Sequence, residues 1–117
     1  MIHFTCDKDE LISTISVASR TVSQKSTIPA LEGIYVTAGK LLTLTGYNLE
    51  TGISVSMEAE VNEMGSAIFP AKLFGDIVRK LPDDMVTIQV DDKYRVKIVS
   101  GISSFSIMAS SADDYPS

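Results

Sequence analysis

The sequence predicts an α+β domain in which two helices lie on one side of antiparallel sheets with about eight strands. Two stretches carry apolar residues at helical spacing, and several short stretches alternate apolar and polar residues. Tight turns join the short strands that follow each helix, which favours antiparallel pairing. The order strand, helix, three strands occurs twice, although the two halves share almost no residue identity. Two helices cannot cover both faces of eight strands, so both are expected on the same side.

The first half opens with a short strand, Ile2–Cys6, and continues into a helix predicted over residues 8–22. Asp7 stands three residues before Glu10, which is the spacing of a helix N-terminal capping box. The apolar stripe of the helix recurs at steps of four, three and four residues: Leu11, Ile15, Ala18 and Val22.

Three strands are predicted after this helix. Residues 23–30 are polar and end in Ile28-Pro29, which indicates a loop because a residue before proline favours extended geometry. Strands follow over residues 31–37 and 41–45. The third has the clearest alternation in the chain, and its half-buried face carries Ile53, Val55, Met57, Ala59 and Val61.

The second half repeats this order. After a short strand over residues 66–69, Pro70 suits the first position of a helix, where its missing N–H costs nothing. The helix is predicted over residues 71–81 from an apolar stripe that consists of Leu73, Phe74, Ile77, Val78 and Leu81. Three more strands follow, marked by Val86, Ile88 and Val90, by Val96 and Ile98, and by Phe105 and Ile107.

Composition limits the classes of protein that this chain can belong to. A length of 117 residues fits one domain, and a net charge of −5 argues against a free-standing basic DNA-binding module. One local basic face could still contact DNA. The single cysteine, Cys6, is expected to be a buried apolar residue, which suits a reducing compartment. Without a targeting segment or an apolar run of membrane-spanning length, the chain is expected to be cytoplasmic.

Catalytic and metal sites find little support in the residues. His3 is the only histidine, so neither a Ser-His-Asp triad nor a histidine-rich metal site is credible. The three Asp-Asp pairs, at 83–84, 91–92 and 113–114, fall in predicted turns or in the tail, where Asp is common. The glycines are scattered and form no phosphate loop. We therefore expect no enzyme activity, no metal and no cofactor.

The basic residues of the second helix allow two interpretations. Lys72, Arg79 and Lys80 share one helical face, and Asp76 lies among them. The simpler interpretation is a solvated face with an Asp76 ion pair to Lys72 or Lys80. The other is contact with DNA, which would be made to phosphates alone because no base-reading motif or stacking aromatic residue accompanies these cations.

Several segments resemble the first domain of bacterial sliding clamps, the β subunit of DNA polymerase III. They are Lys25–Gly33 (KSTIPALEG), Leu42–Glu50 (LTLTGYNLE), Phe69–Pro82 (FPAKLFGDIVRKLP), the start Phe4–Asp9 (FTCDKD) and the end Ala112–Pro116 (ADDYP). The resemblance runs the length of the chain, and its longest segment covers a whole helix with its flanks. The family usually has Asp at the position of Asn48, a difference that affects a turn.

The resemblance implies a non-catalytic ring component that encircles duplex DNA and slides on it, tethering the replicative polymerase. In this family two subunits, each with three domains, close head to tail, and the helices line the hole. Residues 1–117 would be the first domain, with residues 110–117 as the start of the interdomain linker. Duplex DNA would be contacted by Lys25, Lys72 and Arg79 or Lys80, and the subunit joint would be formed by Leu73, Ile77, Phe105 and Ile107.

The other implied partners are a second clamp subunit, the DNA polymerase III core and the clamp loader. The pocket for clamp-binding peptides lies mainly between the second and third domains of the family, beyond this chain. From the residues alone, a general α+β protein-interaction module with a merely solvated basic face remains the alternative. A parent chain that continues into two further domains of similar length would favour the clamp.

Overall fold

The computed structural model describes residues 1–22 and 28–116. Within these ranges there are ten strands, two α-helices and two short 3₁₀ helices. The α-helices are α1 (Lys8–Ser19) and α2 (Ala71–Arg79), and the 3₁₀ helices are Pro29–Glu32 and Ala112–Asp114. The strands are β1 (Ile2–Asp7), β2 (Gly33–Ala38), β3 (Leu42–Tyr47), β4 (Gly52–Met57), β5 (Glu60–Glu63), β6 (Gly65–Pro70), β7 (Met85–Val90), β8 (Arg95–Ser100), β9 (Ser103–Met108) and β10 (Ser110–Ser111).

The strands form two antiparallel sheets of five. The first sheet has the order β5-β1-β7-β8-β9, and the second has the order β10-β6-β2-β3-β4. The strand before each helix pairs with a strand that follows the other helix. β1, before α1, pairs with β7, after α2, and β6, before α2, pairs with β2, after α1. The two halves of the chain are therefore interlocked. The α+β class, the antiparallel pairing and the two helices are confirmed.

The first helix begins where the sequence predicts and ends earlier. The Glu10 N–H donates to Asp7 Oδ2 at 2.8 Å, so Asp7 is the N-cap. Regular α-helix stops at Ser19, although the apolar stripe continues to Val22. The last N–H groups bond three residues back instead of four, as between Val22 and the Ser19 carbonyl at 3.2 Å. A tighter 3₁₀ turn thus replaces the predicted last turn of α-helix.

The second helix shows the same shortening. α2 starts at Ala71, as predicted, and Pro70 is its N-cap and not its first helical residue. The helix ends at Arg79, and the Leu81 N–H reaches the Val78 carbonyl, three residues back, at 3.2 Å. Phe74 anchors α2 in the core, where its ring meets that of Phe69 edge-on with 4.8 Å between centroids.

The prediction of eight strands is wrong because the alternating segment after residue 52 contains two strands. The first part, β4, ends at Met57 and pairs with β3 in the second sheet. The second part, β5, begins at Glu60 and pairs with β1 in the first sheet. The alternation of apolar and polar residues continues from β4 into β5, because each is a half-buried strand at the edge of its sheet. The two-residue strand β10 accounts for the other addition.

One core fills the space between the helices and the inner faces of both sheets. The two helices pack against each other, and α1 also packs on β3 and β4. Cys6 belongs to this core, and its burial, followed by the nearby charges of Asp7 and Glu10, raises the pKa of the thiol to about 12. The thiol is therefore neutral at physiological pH and unreactive, which confirms the expectation of a buried apolar residue.

Candidate nucleic-acid interface

The predicted cations of α2 lie at a groove between the two helices. Lys72, Arg79 and Lys80 are all exposed. Lys72 and Arg79 line the groove, which has a volume of about 570 Å³ and an apolar floor that includes Ile15 and Val22. Lys80 caps the C-terminal end of the same helix. The fourth predicted cation, Lys25, lies outside the described residues.

Arg79 makes the ion pair that the sequence assigned to a lysine. Its Nη1 lies 3.6 Å from Asp76 Oδ1, and its Nη2 donates to Ser16 Oγ on α1 at 3.5 Å. The prediction that Asp76 pairs with Lys72 or Lys80 is therefore wrong. Three residues separate Asp76 from Arg79, a spacing that brings their side chains together on a helix. Both are about half exposed, so the pair is weak and leaves the guanidinium free to turn toward a phosphate.

Arg20, at the end of α1, is a further exposed basic residue that sequence reasoning left out of the site. It is exposed at the C-cap of α1 in helical geometry, with φ −61° and ψ −27°. It follows Ser16 by four residues, which places both on one side of α1. Because Ser16 accepts a hydrogen bond from Arg79, that side of α1 faces α2. The four-residue spacing between Ser16 and Arg20 is the only sequence signal for the position of Arg20. It points to α2 only because the structure shows that Ser16 contacts Arg79 of α2.

The groove carries charges of both signs, from Lys72 and Arg79 and from Glu32 and Asp76. Among the described residues that line it, none is aromatic. Three of the tyrosines, Tyr35, Tyr47 and Tyr115, cluster instead at the second sheet. A duplex against the helices would therefore meet cations able to bind phosphates and no stacking ring, which favours contacts that are blind to sequence.

The four residues predicted for a subunit joint are not equally accessible. Leu73 is 48% exposed and Ile77, one helical turn later, is half-buried. Phe105 is 37% exposed, whereas Ile107 is only 7% exposed. Of the two β9 residues predicted for the joint, Phe105 is therefore exposed and Ile107 is buried. The Ile107 side chain lies opposite Val96 on the inner face of the first sheet and packs into the core.

β9 is an end strand, and this explains the exposure of Phe105. Phe105 pairs with the fully buried Ile98 and so points to the inner face, but no described strand continues the sheet beyond β9. One side of the ring therefore stays uncovered. The outward backbone groups of β9 could pair with a strand of another chain.

The acidic pairs at 83–84 and 91–92 lie in turns, as predicted, whereas Asp113 and Asp114 belong to a 3₁₀ helix. Asp91 accepts hydrogen bonds from the N–H groups of Arg95 and Lys93 at 2.9 and 2.8 Å, and from Arg95 Nε at 3.0 Å. These hydrogen bonds lower the pKa of Asp91, and the bond from the Arg95 backbone N–H has the largest effect. The backbone of Asp83 is held by the Ser100 hydroxyl, which accepts from the Asp83 N–H at 3.1 Å and donates to the Asp83 carbonyl at 3.3 Å. Across residues 1–22 and 28–116, no group of three or more His, Cys, Asp or Glu could hold a metal ion.

No helix in the described ranges is long and apolar enough to span a membrane.

A sequence profile of the DNA polymerase III beta subunit, N-terminal domain, matches residues 2–117. That match covers nearly the whole chain.

Individual relatives agree with this match. A beta sliding clamp of Halalkalibacterium halodurans is 36% identical over 124 residues, an alignment that takes in 98% of this chain and 33% of the relative. A beta sliding clamp of Synechocystis is 36% identical over 120 residues, with 95% of this chain and 31% of the relative covered. The chain thus spans about a third of the length of these proteins.

Solved structures share the fold. The DNA polymerase sliding clamp from Bacillus subtilis superposes with a TM-score of 0.96 at 30% identity, over 99% of this chain and 33% of that one. The beta subunit of DNA polymerase III from Thermotoga maritima gives a TM-score of 0.92 at 25% identity, over 100% of this chain and 32% of that one.

Proposed function

Because the chain belongs to the DNA polymerase III β subunit family, as the N-terminal domain of that subunit, we propose that it is one segment of a ring that encircles duplex DNA. The ring slides on the duplex and tethers the replicative polymerase. The domain itself performs no catalysis. Its contribution is a helix-lined surface that faces the DNA and a sheet edge that closes the ring.

The observation that carries this proposal is the character of the groove between α1 and α2. Its described lining includes the exposed cations Lys72 and Arg79, together with the acids Glu32 and Asp76, and contains no aromatic residue. Two further exposed cations, Arg20 and Lys80, stand at the C-terminal ends of α1 and α2. Phosphate contacts of this kind hold DNA without regard to sequence. A closed ring needs no tight contact, since it cannot leave the duplex sideways, and loose contacts permit sliding.

The exposed apolar residues support the proposed assembly. Phe105 on the edge strand β9, together with Leu73 and Ile77 on α2, forms the proposed joint with a second subunit. The polymerase core and the clamp loader are proposed to bind parts of the subunit other than this domain. We place the assembled protein in the cytoplasm, where the chromosome is replicated.

The isolated domain is expected to bind duplex DNA weakly and without sequence preference. With Lys25, Lys72, Arg79 and Lys80 as four phosphate contacts, and roughly −0.9 per contact, the slope of log affinity against log salt is about −3.6. Affinity should then fall on the order of a hundredfold between about 50 and 200 mM salt. Titration of two unrelated duplexes at several salt concentrations measures both the slope and the preference.

The controls separate a specific face from overall charge. Changing Lys25, Lys72, Arg79 and Lys80 to Ala together should strongly weaken low-salt binding, because Arg20 alone of the named cations is left. A matched variant loses the same charge elsewhere, at Lys40, Lys93, Arg95 and Lys97, which lie in turns and on the outer side of β8. It should bind more strongly than the first. Equal loss of binding in both variants would contradict the proposed DNA-binding face. Nanomolar binding at moderate salt would contradict the sliding mechanism.

The joint is tested by Phe105→Arg in the full-length subunit. A charge at this uncovered inner position of β9 should weaken subunit association by at least tenfold, since burying an unpaired cation is unfavourable. Sedimentation across a concentration series gives the dissociation constant. Met108→Arg is the control, because Met108 is exposed on the opposite face of the same strand and should leave association unchanged. An unaltered dimer in the Phe105 variant would place the joint elsewhere.

A further inference from the structure

We infer that residues 110–116 form a strap clasped to the second sheet by Tyr115, and that this clasp fixes the point and direction from which any following chain leaves the domain. The sequence alone predicts only a polar, acidic tail here. The strap instead has secondary structure, a side-chain cap and a docked aromatic ring. Each of these contacts removes freedom from the segment.

Backbone contacts hold the first part of the strap. β10 adds to the edge of the second sheet, with Ser110 opposite Ile68 and Ser111 opposite Ala67. Ile68 points to the outer face, since it pairs with Tyr35, yet it is only 4% exposed. Ile68 packs over Gly33 of the neighbouring strand, and the 3₁₀ helix of the strap also contacts β6, so the strap adds to the cover of this outer face.

A short 3₁₀ helix then turns the chain toward the middle of the sheet. The Asp113 N–H donates to Ser111 Oγ at 3.2 Å, so Ser111 caps this helix. The Tyr115 N–H donates to the Ala112 carbonyl at 3.1 Å and closes it. The turn brings the Tyr115 ring onto the outer face of the sheet.

Tyr115 docks between two other tyrosines. Its ring meets that of Tyr35 edge-on, with 5.0 Å between centroids and 71° between planes. Its centroid lies 6.5 Å from that of Tyr47, at 50°. Tyr35 is on β2 and Tyr47 on the neighbouring β3, so the ring spans two strands of the sheet. Aromatic pairs at such distances and angles are favourable beyond the area that they bury.

The ring holds the strap, and its hydroxyl does not. Tyr115 Oη is shielded from solvent and has no hydrogen-bond partner among the described residues. Burial, and then the nearby Tyr47, raise the pKa of Tyr115, so the phenol docks in its neutral form. An unpartnered buried hydroxyl opposes docking. Removing the hydroxyl should therefore keep or strengthen the clasp, whereas removing the ring should release it.

Amide hydrogen exchange measured by NMR tests the clasp in this chain. The reporters are the Tyr115 and Asp113 N–H groups, both of which should be protected in the unaltered chain. Tyr115→Ala should speed their exchange at least tenfold, and Tyr115→Phe should leave it equal or slower. Asp114→Ala is the matched control, since it changes an exposed strap residue outside the clasp. Amides of β2 and β3 report whether each variant is folded.

The exchange data can overturn the inference in three ways. Reporter amides that exchange as fast as an unstructured peptide in the unaltered chain would show that there is no docked strap. An unchanged rate in the Ala variant would show that the ring does not hold it. A Phe variant as loose as the Ala variant would assign the contact to the hydroxyl instead.

A distance measurement tests the fixed exit. Spin labels are attached at Pro116→Cys and at Lys97→Cys on β8, since the buried, neutral Cys6 does not compete for the label. The distribution of distances between the labels should be narrow and should broaden when Tyr115 is also changed to Ala. A broad distribution with Tyr115 intact would overturn the inference. Because neither test involves DNA or a second subunit, their outcome does not depend on the proposed function.

Discussion

Gly46→Ala is expected to lower the free energy of unfolding by roughly 3 kcal/mol or more, the upper range for overpacking a core. A Cβ at this position of β3 would lie 2.0 Å from the Ala18 carbonyl oxygen and 2.7 Å from Thr21 Oγ1. The nearest atom belongs to the backbone of α1, so no side-chain rotation can relieve the clash. The helix would have to move off the second sheet. Denaturant-induced unfolding of both proteins measures the difference.

Gly39→Ala is the control for this substitution. The added Cβ would meet only the Leu41 carbonyl oxygen, at 3.9 Å, which is ordinary van der Waals contact. Its stability should stay within about 0.5 kcal/mol of the original, as for most surface changes. If Gly46→Ala were as harmless as Gly39→Ala, the close approach of α1 to β3 would be refuted.

Phe74→Ala is expected to lower the free energy of unfolding by about 3–5 kcal/mol, the usual range for removing a buried aromatic ring. Phe74 is fully buried and makes the edge-on contact with Phe69 that secures α2. Its loss leaves a cavity under the helix that carries Lys72 and Arg79. We therefore also expect weaker binding of DNA at low salt, from misplaced cations. Unfolding curves and the duplex titration provide the two measurements.

Leu73→Ala supplies the comparison, because Leu73 is the adjacent residue on α2 and is about half exposed. Leu73→Ala should lower the free energy of unfolding by less than about 1 kcal/mol, since little buried apolar area is lost. In the full-length subunit the same change should weaken the proposed joint. Equal destabilisation by the two variants would mean that the buried and exposed faces of α2 have been assigned wrongly.

Local signals predicted both helices well. Asp7 as a capping residue and the stripe through Leu11, Ile15 and Ala18 placed the start and the buried face of α1. The ends were less accurate, since the apolar stripes run on to Val22 and Leu81 through turns that tighten to 3₁₀ geometry. The side-chain pattern does not distinguish these two kinds of turn, because both can keep such a residue facing the core.

The candidate site was predictable in part. Helical spacing places Lys72 and Arg79 on one face, and the structure agrees. The Asp76–Arg79 ion pair was overlooked, although its three-residue spacing on one helix is a local signal. The contact of Arg79 with Ser16 on the other helix and the burial of Ile107 could not be predicted. Each depends on which element packs against which, and that information lies in contacts between residues far apart in the chain.

By itself, the sequence determined the two helices, the order of most strands, and most of the residues that face the core. Those properties come from local periodicity, capping and turn chemistry. The tertiary structure decided that β1 pairs with β7 and β6 with β2, that β4 and β5 belong to different sheets, and that the tail docks through Tyr115. Strand partners are chosen by packing and backbone hydrogen bonding across long separations, and an alternating strand presents the same pattern to any partner.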